Sequence, residues 1–429
     1  MTPALDILDR FERLGWKGND PMSQMLELRR EQPTILGELV TLFLDRALPT
    51  NTFIDAALDL MDDDTYSQLV GHAWQRVRQG ERSRALIEIL EGAALQLPSL
   101  FHDDWELVLQ LSVESHVKFH QPFLQAWREL DEETVLDWCR HFEDFASLAE
   151  RDRDRAIAIL LSRHEPSARK ALSLLSTDPD DDVQDLLLVA GYALDDGVLR
   201  SLHNEAPHHI RFDSRQWRLM QAQQPEWIRE IRDNQASWQP AATNGSAVVM
   251  GGVAAHPCGL CHQPLHRLLR IAEPRNLGIA CETDLELATC LSCETWEEDI
   301  LFFRHDRDGR PIPHPSQQRK EAQTSRFPAE PLLEAEAHLF AAPRRWERQD
   351  WGASNNRQNL SRVGGAPSWV QTPSYPDCPD CEKPMPFIAQ FDSGLPQSDE
   401  SEWLWGSGGC SYAFWCPDCR ISAHFWQCT

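Results

Sequence analysis

Apolar positions in the first part of the chain recur at helical spacing. Leu36, Leu39, Val40, Phe43 and Leu44 stand at i, i+3, i+4, i+7 and i+8, and Leu86, Ile89, Leu90, Ala93, Ala94 and Leu97 repeat the pattern. Val135, Trp138, Cys139 and Phe142 form a third stripe, and Val183, Leu186, Leu187, Ala190 and Leu194 a fourth. Pro33, Pro49, Gly80, Pro98, Pro122, Pro166 and Pro207 punctuate them. Asp178-Pro179 followed by Asp180–Asp182 predicts a helix start, with acids at the positive end of the dipole, and Asp62–Asp64 reads as another. Many medium helices with short connections predict an all-α domain over 1–235, an α-solenoid of HEAT-like pairs, with an irregular bundle as the alternative.

The texture then changes. Residues 236–257 are rich in small and turn-forming types and read as a linker. Beyond them, short aromatic and β-branched runs replace the helical period. Residues 300–303, 386–391 and 411–415 are expected strands. Residues 308–331 and 341–375 read as long Pro-, Arg-, Asn- and Gly-rich loops. The chain as a whole is expected to be an α+β multidomain protein, helical first and β-rich last.

The β-rich part carries the clearest chemistry. Cys258-Gly-Leu-Cys261 and Cys290-Leu-Ser-Cys293 form one pair of C-x-x-C knuckles; Cys378-Pro-Asp-Cys381 and Cys416-Pro-Asp-Cys419 form a second. Each set supplies four thiolates, the donor set of a tetrahedral zinc site. Two structural zinc ions are therefore expected, each bound within its own set, which sequence proximity favours over pairing across the two sets. The first knuckles share C-x-x-C, two polar residues, Pro, an aliphatic residue and an apolar run, which predicts an internally duplicated domain over 258–429, with halves at about 258–310 and 362–429. Four thiolates leave no position for water, so catalytic zinc is not expected. Cys139, Cys281, Cys410 and Cys428 have no ligand spacing and read as buried thiols.

Charge narrows the partners. Of 41 basic and 67 acidic residues, residues 1–250 hold 25 and 43, so both parts of the chain are acidic. This disfavours nucleic acid and anionic membranes and suits a basic protein partner. The start of the chain lacks a secretory pattern, and no apolar run approaches a membrane span, so a cytoplasmic location is expected, where C-x-x-C pairs stay reduced.

Arg362-Val-Gly-Gly-Ala-Pro-Ser-Trp-Val-Gln371, the Cys378 knuckle with Pro384-Met385, Tyr412-Ala-Phe-Trp-Cys416 and Phe425-Trp-Gln427 occur in an order that resembles the YwqG-like family. That family is related to programmed cell death protein 2. The resemblance covers roughly residues 250–429 and implies a β-rich, duplicated domain. Eukaryotic relatives act as chaperones for a ribosomal protein, and some bacterial relatives are suspected immunity proteins. No catalytic residue comes with it.

Other motifs are weaker. Gly364-Gly365 reads as a structural turn with Trp369 in the core, because no phosphate-loop lysine follows. His116 and His120 lie at i, i+4 without a metalloprotease glutamate and read as surface residues, and His208-His209 is uninformative. Trp403 and Trp405, in a Gly- and Ser-containing stretch, are the expected contact patch. The resulting expectation is a non-enzymatic cytosolic zinc protein that holds a protein partner, as an immunity protein or client-specific chaperone. An RNA-associated zinc-knuckle protein and an enzyme with an unrecognised site are the alternatives.

Overall fold

The computed structural model describes residues 3–14, 21–48, 52–104, 191–195, 198–204, 207–212, 226–235, 248–351 and 358–429, with Leu107–Val108, Leu111 and Leu187–Leu188 between. The chain divides into two units. The first takes Met1–Leu175, Gln224–Ser237 and Arg344–Gln349; the second takes the remainder.

The first unit is helical: α1 (Pro3–Leu14), α2 (Pro21–Glu31), α3 (Ile35–Asp45), α4 (Thr52–Leu60), α5 (Asp63–Arg78), α6 (Arg84–Gln96) and α7 (Glu226–Gln235). The stripe expected on α3 is buried, as is that on α6. Asp62 caps α5 by accepting from Thr65 N–H (2.8 Å), and Gly80, at φ +98°, ends it. α1 packs on α2 and α3, α3 on α4 and α5, and α5 on α6. α7 returns from more than a hundred residues away to pack on α2 and α4, fastened by Arg30–Glu226 (2.7 Å) and Arg29–Glu230 (3.1 Å). The stripe at 135–142, the Asp178–Asp182 start and His116 and His120 lie outside the described residues. Leu194, placed on a helical stripe from sequence, stands instead in strand β1.

The second unit is built on antiparallel strands. β1 (Tyr192–Asp195) and β2 (Val198–Ser201) form a hairpin. The main sheet comprises β3 (His208–Phe212), β4 (Val248–Pro257), β5 (Pro264–Ile271), β6 (Leu285–Thr289), β7 (Leu301–His305), β8 (Pro311–Pro313), β9 (Leu332–Ala341), β10 (Arg362–Val363), β11 (Phe387–Asp392), β14 (Cys410–Cys416) and β15 (Ile421–Gln427). Its order is β6-β5-β4-β9-β3-β10-β11-β14-β15-β7-β8. A small ladder joins β12 (Leu395–Pro396) to β13 (Glu402–Trp403). The strands expected near 300, 386 and 411 are β7, β11 and β14.

Three boundaries differ from the sequence expectation. Residues 248–257 are not linker but strand β4, paired on both sides. Val248 to Ala255 is mostly Val, Gly and Ala, so its composition resembles a linker, while Val248, Met250 and Ala254 are buried in the sheet. Strands also begin before residue 235: His208-His209, uninformative as a motif, opens β3, which pairs with both β9 and β10. The stretch 308–331 is not all loop, because Pro311–Pro313 is the edge strand β8, a place where proline's missing N–H costs little.

The sheet curls, so its ends approach. Glu286 N–H on β6 donates to Gly309 O in the β7–β8 turn (3.0 Å). Gly309 is at φ +75°, and a Cβ there would fall 1.7 Å from Asp284 O, so only glycine fits this closure. One large apolar cluster spans the sheet, from Leu268, Leu285 and Leu287 to Trp405, Trp415 and Trp426. Trp405 is fully buried, which corrects its assignment to a contact patch. The flat hydropathy of a Gly- and Ser-rich stretch hides that its indole fills the core and donates to Asp392 O (3.3 Å).

The β7–β15 seam holds two buried histidines. His305 Nδ1–H donates to Gly309 O (3.1 Å), so its Nε2 accepts from Ser422 Oγ (2.9 Å), which in turn accepts from His424 Nε2–H (3.3 Å). His424 Nδ1 has no partner among the described residues. Burial pushes His305 down to about 4 and His424 to about 3. An exposed histidine in the unfolded chain titrates near 6.5, so acid gives the unfolded state protons that the fold refuses. Stability is therefore full above pH 6.5 and falls toward pH 4, by about 1.4 kcal/mol per pH unit for each ring. His424→Gln removes one such ring. In urea titrations of metal-loaded protein, the loss between pH 7 and pH 5 should be about 2 kcal/mol smaller than in the parent. Equal losses would contradict this account of the seam.

Candidate metal centres

The knuckles form at strand ends because the backbone turns there. Cys258 N–H donates to Gln263 O (2.8 Å) and His262 N–H to Cys258 O (3.0 Å), with His262 at φ +59°. Cys378 N–H donates to Lys383 O (2.9 Å) and Glu382 N–H to Cys378 O (2.8 Å), with Glu382 at φ +57°. Each turn thus points two thiols to one side. The strand that follows runs antiparallel to a strand ending at the second knuckle: β5 beside β6 leads to Cys290, and β11 beside β14 leads to Cys416.

The eight expected ligands assemble within their own sets. The Sγ atoms of Cys258, Cys261, Cys290 and Cys293 all lie within 4.8 Å of one another, as do those of Cys378, Cys381, Cys416 and Cys419. Across knuckles, Cys261 Sγ stands 3.6 Å from Cys290 Sγ, and Cys381 Sγ 3.7 Å from Cys416 Sγ. A tetrahedron of thiolates about 2.3 Å from a central ion has edges of about 3.8 Å, so both clusters are able to hold a metal ion of that size.

Hydrogen bonds from Cys258, then Cys290 and Cys293, hold Cys261 well below an ordinary thiol, and donation to Cys258, Cys261 and Cys293 holds Cys290 well above. Burial, then donation to Cys381 and Cys378, pushes Cys419 up to about 12. The sites differ in depth. All four ligands of the first are buried, whereas Cys381 and Cys419 of the second are half-exposed. Cys281 and Cys410 are buried and Cys428 half-buried, all outside the clusters; Cys139 lies outside the described residues.

Two of the knuckles are braced by residues remote in sequence. His266 on β5 accepts from Leu291 N–H (3.4 Å) with a ring that burial pushes down to about 4, so it stays neutral. Glu294, following Cys293, is fully buried and accepts from Ser411 Oγ on β14 (2.8 Å); burial pushes its carboxyl up to about 7. Trp426 Nε1–H on β15 donates to Glu294 O (2.9 Å). In the other direction, Asp380 between Cys378 and Cys381 accepts from Arg304 on β7 and from His314 Nε2–H (3.1 Å). Sequence reasoning missed these braces, because their partners are up to 132 residues apart and carry no spacing signal.

Ser316 Oγ lies 2.7 Å from His314 Nδ1, so Ser316, His314 and Asp380 form a hydroxyl–imidazole–carboxylate line. Ser316 N–H is spent on His314 Nδ1 (3.3 Å) and Gln317 N–H on His314 O (2.9 Å), leaving neither to hold an oxyanion. The line instead caps the short turn Pro315–Gln317 and ties it to the second knuckle.

The Arg362–Gln371 segment is also structural. Gly364 and Gly365 have φ near +73°, and a Cβ on Gly365 would meet Pro207 at 2.7 Å. Arg362 is buried and donates to Ala366 O and Ser368 Oγ (3.0 Å); burial pushes its guanidinium down to about 10. Trp369 packs among Tyr375, Tyr412, Phe414 and Phe425.

These features define a class: a helical unit and an antiparallel β-rich unit with two four-cysteine clusters able to hold metal. Among described residues, no helix is long and apolar enough to cross a membrane. Comparison with known proteins adds little beyond this. Over 183 residues the chain is 27% identical to the uncharacterized protein YpfL of Salmonella typhimurium, covering 40% of this chain and 39% of that protein. The chain therefore spans well under half the length of that relative. No family model matches the chain, and no solved structure is significantly similar to it.

Proposed function

We propose that the chain is a non-enzymatic, cytosolic protein-binding factor of the YwqG-like kind, whose β-rich unit is one shape built twice around two structural zinc sites. The observation that carries this is the donor set: in each cluster four sulfurs lie within 4.8 Å of one another, and four thiolates would fill a tetrahedral zinc and leave no position for substrate or water. Duplication is supported by register. The β5–β6 ladder shifts between Arg267 and Leu269, the β11–β14 ladder between Phe387 and Ala389, and these stand 120 positions apart, as Cys258 and Cys378 do. From the sheet's middle outward, β9-β4-β5-β6 matches β3-β10-β11-β14 in order.

Partner binding is supported by the charge of −26 and by the long acidic helical region, added surface of the kind that HEAT-like repeats use. The partner is then a basic protein, a toxin or a client held before assembly. Affinity capture from the native host, followed by mass spectrometry and size-exclusion of the reconstituted pair, tests this. A stoichiometric basic partner is expected; a chain that stays without one, metal-loaded and folded, would sink the reading.

A further inference from the structure

We infer that Trp296 and Phe327, with the acidic turn that carries Trp296, form a docking site for a basic segment of a partner protein, taking an Arg or Lys side chain over the rings. This rests on the partner-binding reading above. Most aromatic side chains of the β-rich unit are covered. Trp296 and Phe327 remain 38% and 45% exposed, although their rings touch, with centroids 4.2 Å apart.

The pair is held rigidly. Trp296 packs on Trp426 (centroids 5.0 Å), whose N–H donates to Thr295 Oγ1 (3.2 Å). Thr295, at φ +63°, closes its turn by donating to Glu298 O (2.9 Å). Phe327 is seated on the first metal knuckle. Ser325 Oγ–H donates to Ser292 O (2.7 Å), Ser292 Oγ accepts from Ala329 N–H (2.9 Å), and Ser292 lies between Cys290 and Cys293. Rings fixed before binding lose little freedom on contact, which is what makes an aromatic pair an anchor.

Charge selects the occupant. Glu297, Glu298 and Asp299 follow Trp296 directly. Glu298 is paired with Arg319 (2.9 Å). Glu297 accepts from Gln323 through Oε2, while its Oε1 is shielded and has no partner among the described residues. Of the cations on the facing segment, Arg319 is thus committed and Lys320 and Arg326 are exposed; among described residues none lies over Trp296 or Phe327. A guanidinium or ammonium laid on the rings would meet their negative faces, with the neighbouring charge of Glu297 adding attraction at longer range. The overall acidity would speed its approach.

The test uses the full, metal-loaded chain and an octapeptide of alternating Arg and Ala as probe, with Gln and Glu replacing Arg in two control peptides. Calorimetric titration should show the Arg peptide binding, weakening as salt rises, and losing about fivefold or more in Phe327→Ser and in Glu297→Gln. Phe327 is at the surface, and unchanged metal content and melting temperature would establish that both variants fold. No binding to the parent, undiminished binding to both folded variants, or equal binding of the Gln peptide would overturn the site. A partner captured equally by the parent and by Phe327→Ser would overturn this surface and leave partner binding intact. Arg-peptide binding that depends on Phe327, with no partner captured, would do the reverse.

Discussion

Replacing Cys290 with serine should lower the metal content from about two to about one per chain and unfold the β-rich unit. Cys290 is wholly buried at the end of β6, and its thiol lies 3.6 Å from that of Cys261. A structural four-thiolate zinc contributes about 10–16 kcal/mol of binding free energy in small metal domains. A whole domain is stable by only about 5–15 kcal/mol. Three thiols left without their fourth would remain buried and crowded, so the loss should exceed what the fold can spare. Elemental analysis gives the metal count, and near-ultraviolet circular dichroism reads the tryptophan core. A chelator should also strip the second site first, because Cys381 and Cys419 are half-exposed while all four ligands of the first site are buried. A serine variant that keeps two metals, or that keeps a parental spectrum with one, would disprove the structural role.

The second large effect concerns Arg345. This residue lies between β9 and β10 in sequence but belongs to the helical unit, where it is 3% exposed. Its guanidinium donates to Leu58 O (2.6 Å) and Met61 O (2.8 Å), carbonyls at the open end of α4, and to Gln96 Oε1 (3.3 Å), and pairs with Asp63 (3.1 Å). It also lies over the Tyr66 ring at 4.0 Å and the Trp346 ring at 4.9 Å. A cation at a helix C-terminus offsets the dipole and adds a charged donor to the last carbonyls, of which Leu58 O otherwise has the Met61 N–H (3.3 Å). Arg345→Ala should cost the helical unit about 2–4 kcal/mol, because the carbonyls of Leu58 and Met61 lose a charged donor, while Asp63, 72% exposed, stays solvated. Arg345→Lys should recover only part, since an ammonium cannot lie flat on two rings while reaching both carbonyls. Urea unfolding monitored by helical ellipticity measures this, and metal content should stay at about two per chain. A change below about 1 kcal/mol would mean that this strap is ornamental.

Legibility varied with the range of the interactions. The stripes on α3 and α6 were readable because a helix buries one face and its period is local. The Asp62 cap was readable for the same reason. The cysteine sets were readable because C-x-x-C closes within one turn, where His262 and Glu382 take the same left-handed backbone. β4 and β3 were not, since Val248–Ala255 is broken by Gly251-Gly252 and rich in alanine, and His208–Phe212 is short and mixed. Each is a strand only because neighbours pair with it on both sides. Trp403 and Trp405 show the limit from the other direction: composition marked them as surface, and Trp405 fills the core. The exposed aromatic pair, Trp296 and Phe327, is separated by 30 residues and left no pattern to find.

What the sequence determined by itself was therefore local: helical faces, the knuckles, and the eight thiols that belong together. It did so because those features depend on residues a few positions apart, whose geometry the backbone dictates. The tertiary structure alone decided which strands share the sheet, that Arg304, His314 and Ser411 brace two knuckles from afar through Asp380 and Glu294, and that Arg345 is given to the helical unit. Those outcomes depend on burial and pairing across more than 60 positions, where many partners are chemically possible and only packing selects one.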